Sequence, residues 1–90
     1  MNYLPVGTLV RLKIKELNVY TVIVGYYPQN EKGEQMDYVG INYPFGVMDN
    51  SSFLFFNEEG IGEIVQEGYK GKEYDQFVQA FKELMESEEE

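Results

Sequence analysis

A chain of 90 residues with a formal net charge of -9 has room for one domain around one modest core. It holds neither cysteine nor histidine, which excludes disulfides, thiolate metal sites and chemistry that pairs a nucleophile with histidine. No apolar run approaches the roughly 20 residues a membrane helix needs, and the N-terminus lacks the basic-then-apolar layout of a signal peptide, so the expected location is cytoplasmic. With 43% hydrophobic and 16% aromatic residues there is enough apolar area to offset the entropy of ordering the chain. The acidity is uneven: eleven acidic residues face three lysines from Asn57 onward, against five acids and four bases before it. Such a field repels phosphate backbones and anionic lipid and favours solubility or cationic partners.

In chain order, Leu4-Pro5-Val6-Gly7 predicts a turn leading into a strand, since proline fixes its own φ and Gly7 tolerates angles other residues avoid. TLVRLKIK then alternates Leu9, Val10, Leu12 and Ile14 with Arg11, Lys13 and Lys15, the period of a strand with one wet face. Long cations in such a strand also serve as guards on an exposed sheet edge. Glu16, Leu17 and Asn18 separate this run from VYTVIVGYY, dense in β-branched and aromatic residues, and the pair predicts a hairpin. PQNEKGEQ is a polar connection. MDYVGINYPFG has strand composition again and ends at Tyr43-Pro44, where proline lacks the amide hydrogen that pairing requires. A loop at Asp49 to Ser52 precedes an apolar segment, Phe53 to Phe56, then a single helical turn capped by Asn57, then a strand from Ile61 or Glu63 to Glu67. Gly68 and Gly71 end that strand.

Tyr74, Phe77, Val78, Phe81, Leu84 and Met85 recur at the spacing of one helical face, which predicts an amphipathic helix from about Lys72 to Glu86. Ser87 and the closing glutamates have no apolar face and are expected to fray, with negative charge unfavourable at a helix C-terminus. The expected organisation is a single α+β domain over 1-86 with an acidic tail at 87-90. Its sheet is a strongly bent antiparallel one of four or five strands that could close like a small SH3-type barrel, with one C-terminal amphipathic helix.

Little in this composition can carry catalysis. Glu63 and Glu67 share a face of their strand, but acids at even spacing on an outward face are what solvation alone requires. Asp49-Asn50 is too short for a calcium loop, and Gly60-x-Gly62 and Gly68-x-x-Gly71 lack the strand, loop and helix context of a phosphate cradle. No catalytic, cofactor-binding or metal-binding residue is expected, and the chain reads as no enzyme. A nucleic-acid surface built on Arg11, Lys13 and Lys15 would have sixteen acids against it. Tyr26, Tyr27, Tyr43, Phe45, Phe55, Phe56, Tyr69 and Tyr74 are more aromatics than so small a core readily hides, and tyrosine is favoured at protein interfaces. Tyr26, Tyr27, Tyr43, Phe45, Phe56 and Tyr69 are the candidate partner-binding aromatics.

Three blocks are similar in order and spacing to a known family: Leu4-Pro5-x-Gly7-x-x-Val10; Asp37-Tyr38-Val39-Gly40 continuing to Tyr43-Pro44-x-Gly46; and Phe55-Phe56-Asn57 leading through Ile61 to Ile64-Val65-x-Glu67-Gly68-Tyr69. Together they resemble domain of unknown function 4176, a family of small cytoplasmic proteins of Gram-positive bacteria encoded beside type VII (Esx) secretion genes and LXG toxins. The resemblance implies a non-catalytic chaperone or targeting adaptor that holds an LXG-type toxin before export, and it supplies no binding site. On that view the residues themselves offer an aromatic surface to cover an apolar segment of a client, with Arg11, Lys13 and Lys15 as its charged rim. An immunity protein that neutralises a toxin is the first alternative, and a small nucleic-acid-binding β module comes after it. No cofactor and no membrane insertion are expected, and a homodimer is left open.

Overall fold

A computed structural model describes residues 3–14, 16–49 and 52–88. Five strands form one antiparallel sheet: β1 (Leu9–Ile14), β2 (Leu17–Tyr26), β3 (Tyr38–Asn42), β4 (Phe53–Phe56) and β5 (Ile61–Gln66). One 3-10 turn, Glu58–Gly60, joins β4 to β5, and a helix, α1 (Lys72–Glu88), ends the described chain. The strand order is β4-β3-β2-β1-β5. β4 and β5 are thus opposite edges, and the sheet stays open instead of closing into a barrel.

Ile14 pairs with Leu17, so the first hairpin is tighter than a separation of three residues, Glu16 to Asn18, suggests. Opposed residues of an antiparallel ladder share a face. One face carries Val10, Leu12, Thr21, Ile23, Tyr38, Gly40 and Phe56, and the buried core lies there. The other carries Arg11 and Lys13 with a row of Leu9, Val22, Ile41 and Phe53 across four strands. β1 lies between β2 and β5, so Arg11 does not guard an edge: its side chain lies over Gly62 and reaches Glu63 of β5 at 3.6 Å. Lys13 is exposed opposite Asn18, and Lys15 falls outside the described residues.

The 3-10 turn is capped, though not by Asn57. That side chain instead accepts from the Asp37 N–H at 3.0 Å, while the Asp37 carboxylate accepts from the Glu58 N–H at 2.8 Å. The carboxylate so placed satisfies a free donor at the start of the turn. At the far end of the chain α1 continues through Ser87 to Glu88, two residues past the expected Glu86.

Among the described residues no strand begins before Leu9, and the segment first bonds to β2 at Gly7 and Thr8, through Ile23, yet Tyr3 and Pro5 are buried. Buried backbone groups must find partners, and three tyrosine hydroxyls supply them. Tyr74 donates to the Tyr3 carbonyl, Tyr26 donates to the Leu4 carbonyl at 2.5 Å, and the Leu4 N–H donates to Tyr38 at 3.2 Å. Just beyond, the fully buried Thr8 hydroxyl donates to the Pro5 carbonyl at 2.7 Å and accepts from the Gly68 N–H at 3.0 Å. A Cβ at Gly68 would stand 2.6 Å from the Val6 carbonyl oxygen, which is why the chain passes there as glycine.

Candidate protein-binding surfaces

The helix is attached to the sheet by rings. Phe77 stacks on Tyr26 with centroids 5.1 Å apart, and Phe81 stacks on Tyr27 at 5.2 Å while meeting Tyr3 edge-on at 5.2 Å. The Tyr27 and Tyr3 hydroxyls are 3.0 Å apart. Tyr26 and Tyr27 are therefore half-buried beneath α1, where they hold the domain's own parts together. Phe56, only 6% exposed, stacks on the fully buried Tyr38 at 5.6 Å, so its expected place at a partner surface is corrected: it is core.

Burial shifts the titration of these phenols. Loss of solvent, reinforced by Tyr74 and Tyr38, raises Tyr26 from its ordinary value near 10 to about 12. The shared hydrogen bond with Tyr3 raises Tyr27, and burial raises Tyr38. A folded state that keeps phenolic protons longer than the unfolded chain has its full stability below pH 10 and loses it as pH rises towards 12. Circular dichroism and tyrosinate absorbance recorded through that window are expected to show unfolding and late ionisation together. Ionisation of every tyrosine near pH 10 with the fold intact would contradict this.

Tyr43, Phe45 and Tyr69 are exposed. Tyr43 and Phe45 lie beyond β3, on a loop that also exposes Val47 and Met48 and contains a cis Tyr43-Pro44 bond; Phe45 is 73% exposed. Tyr69, at 85% exposure, lies on the link between β5 and α1, its ring close to Gly71. It lines an open groove of about 420 Å³ between the N-terminal segment, β2 and the start of α1. Val6, Val24, Tyr26, Tyr74 and Phe77 give this groove an apolar lining, with Glu73 as its charged wall. Lys70 stands 5.7 Å from the Tyr74 ring and pairs with Glu67 at 2.9 Å, which raises its affinity for protons.

The structure thus brings Tyr26 and Tyr69 together and leaves Tyr43 and Phe45 on a separate loop. Neither Arg11 nor Lys13 lines the groove; the charges near it are Glu73, Lys70 and Glu67. Sequence reasoning missed Val6 and Val24, since Val6 reads as part of a turn and Val24 as one more strand residue. Val24 falls where the β2–β3 pairing shifts register between Ile23 and Gly25, an irregularity without a local sequence signal. Among the described residues no cluster of three acidic side chains is placed to hold a metal, and no helix is long and apolar enough to cross a membrane.

Comparison with protein families matches residues 3–77 to a domain of unknown function, DUF4176. The chain belongs to this family. No match is found among curated proteins or among solved structures. The DUF4176 match takes in the whole sheet, the Tyr69 link and the first turns of α1 as far as Phe77, so every residue that lines the groove lies within it. Phe81, which anchors the rest of the helix on Tyr3 and Tyr27, lies beyond it.

Proposed function

We propose that this DUF4176 domain is a non-catalytic protein-binding module of the cytoplasm, a chaperone or targeting adaptor for an LXG-type toxin exported by type VII secretion. The observation that carries the binding role is the groove in which the highly exposed Tyr69 joins Val6, Val24 and Phe77. Isolated exposed apolar residues are ordinary on a protein surface, but several gathered in one concavity with a charged margin have the anatomy of an interface core. The motifs that resemble secretion-linked proteins supply the client class. A toxin's targeting region would lay apolar side chains into the groove, with Glu73 and Lys70 at its margin.

Coexpression with the targeting region of an LXG-type protein is expected to yield a soluble complex, and Tyr69→Ala is expected to weaken it about tenfold, the effect of losing an aromatic anchor worth about 1.4 kcal/mol. Tyr69 makes no core contact that the fold needs, so the variant should keep the parental melting temperature. Binding confined to the toxic domain, with loss of its toxicity, would replace the adaptor with an immunity protein. Salt-dependent binding to oligonucleotides would replace both.

A further inference from the structure

The two edges of the sheet are built differently. β5 presents Glu63, with Glu67 just beyond its end, and pairs with β1 through two register shifts. Charge and irregularity are both features that discourage another strand from adding to an edge. β4 has neither: Phe53-Leu54-Phe55-Phe56 is uncharged and pairs with β3 in unbroken register. Among the described residues no strand pairs with its outer edge. Phe53 and Phe55 stand on the face away from the core, 43% and 39% exposed.

An open groove of about 380 Å³ lies against this strand, its floor made by Phe53, Leu54 and Phe55 and its wall by Asn30, Glu31, Lys32, Glu34 and Met36 of the β2–β3 connection, two acids against one base. That wall is braced from within. The Asn30 side chain accepts from the Lys32 and Glu34 N–H groups at 3.0 and 2.9 Å, and Gln29 bridges Gln35.

We propose that the β4 edge takes an extended segment of another protein as a sixth strand, one in which apolar residues alternate with lysine or arginine. Strand addition at a free edge draws affinity from main-chain hydrogen bonds and specificity from alternate side chains. The apolar set matches Phe53 and Phe55, and the cations answer Glu31 and Glu34, which outnumber Lys32 in the wall, and a chain of net charge -9. A second copy of this chain is the poorer occupant. It would bring another net charge of -9 and a β4 strand that carries no cation, leaving one Lys32 per copy against Glu31 and Glu34. The inference rests on the reading of the domain as a protein-binding module, but at a surface that shares no residue with the Tyr69 groove.

The test titrates the isotope-labelled full chain with an octapeptide alternating valine and lysine, its valine–glutamate counterpart, and a valine–lysine peptide N-methylated at alternate residues. The valine–lysine peptide is expected to move the amide signals of Phe53 to Phe56, the glutamate peptide to leave them in place, and N-methylation to weaken binding about tenfold by removing main-chain donors. Shifts confined to β5 and α1, equal binding by the N-methylated or the glutamate peptide, no binding at all, or β4 amides already protected by self-association would each overturn the proposal. No toxin client enters this experiment, so its failure removes the edge as a docking site and leaves the Tyr69 groove as it stands.

Discussion

Alanine at Gly40 is expected to cost about 2–3 kcal/mol of stability, in the upper range for forcing an extra carbon into a filled core. In a domain of this size that lowers the melting temperature by roughly 10–15 °C. A Cβ at Gly40 would stand 2.5 Å from the Thr21 hydroxyl, 2.8 Å from the Val22 carbonyl oxygen and 3.2 Å from the Phe56 ring. The Thr21 hydroxyl cannot swing away freely, since it is fully buried and donates to the Ile41 carbonyl at 2.8 Å. Calorimetry of Gly40→Ala, Thr21→Ala and the double variant separates the contributions. Removing the hydroxyl should recover part of the loss, while the main-chain oxygen of Val22 keeps the remainder. A single variant that melted like the parent would mean that the core side of β3 is looser than these distances imply.

Phe81→Ala is expected to cost about 2 kcal/mol, below the 3–5 kcal/mol typical of a fully buried phenylalanine because this ring is only half-buried. Its ring meets Tyr3, Tyr27, Phe77 and Tyr26 with centroids 5.2, 5.2, 5.3 and 6.2 Å apart, so one truncation loosens four aromatic contacts. The loss should fall on α1 first. Hydrogen exchange read residue by residue is expected to show α1 amides opening well before those of β1, β2 and β3, with a fall in the helical dichroism band at a temperature where the sheet persists. If helix and sheet amides lost protection together, the helix would be part of one cooperative unit and the aromatic attachment would not be its weak point.

The strands were legible where composition and period agreed. TLVRLKIK alternates apolar and basic residues, and its register with β2 puts Val10 and Leu12 inside and Arg11 and Lys13 outside. What alternation cannot reveal is a strand's place in the sheet. β1 reads like an edge because its outward face is cationic, yet β5 arrives from fifty residues further along to pair with it, and only that long-range pairing makes β1 internal. The aromatic surplus was legible as a surplus, and its use was not. Tyrosine suits an interface because one ring buries area while its hydroxyl finds a partner, and the same two properties serve a buried stretch of chain with no ladder to join. Tyr26, Tyr38 and Tyr74 meet that second need at Tyr3 and Leu4. Tyr69 and Phe45 carry the same ring chemistry and reach solvent instead. Local sequence does not distinguish the two fates, which depend on what the fold brings alongside.

The tyrosine ties on the N-terminal segment bear on how the chain is made. Tyr3 and Leu4 leave the ribosome before any of their partners, and those partners lie 22, 34 and 71 residues downstream in Tyr26, Tyr38 and Tyr74. Contacts this distant are costly to close before the intervening chain has ordered. During synthesis Tyr3 and Leu4 therefore wait without their tyrosine partners, their apolar side chains exposed until α1 emerges to cover them, and that interval is when a nascent chain of this kind is most open to capture by another protein.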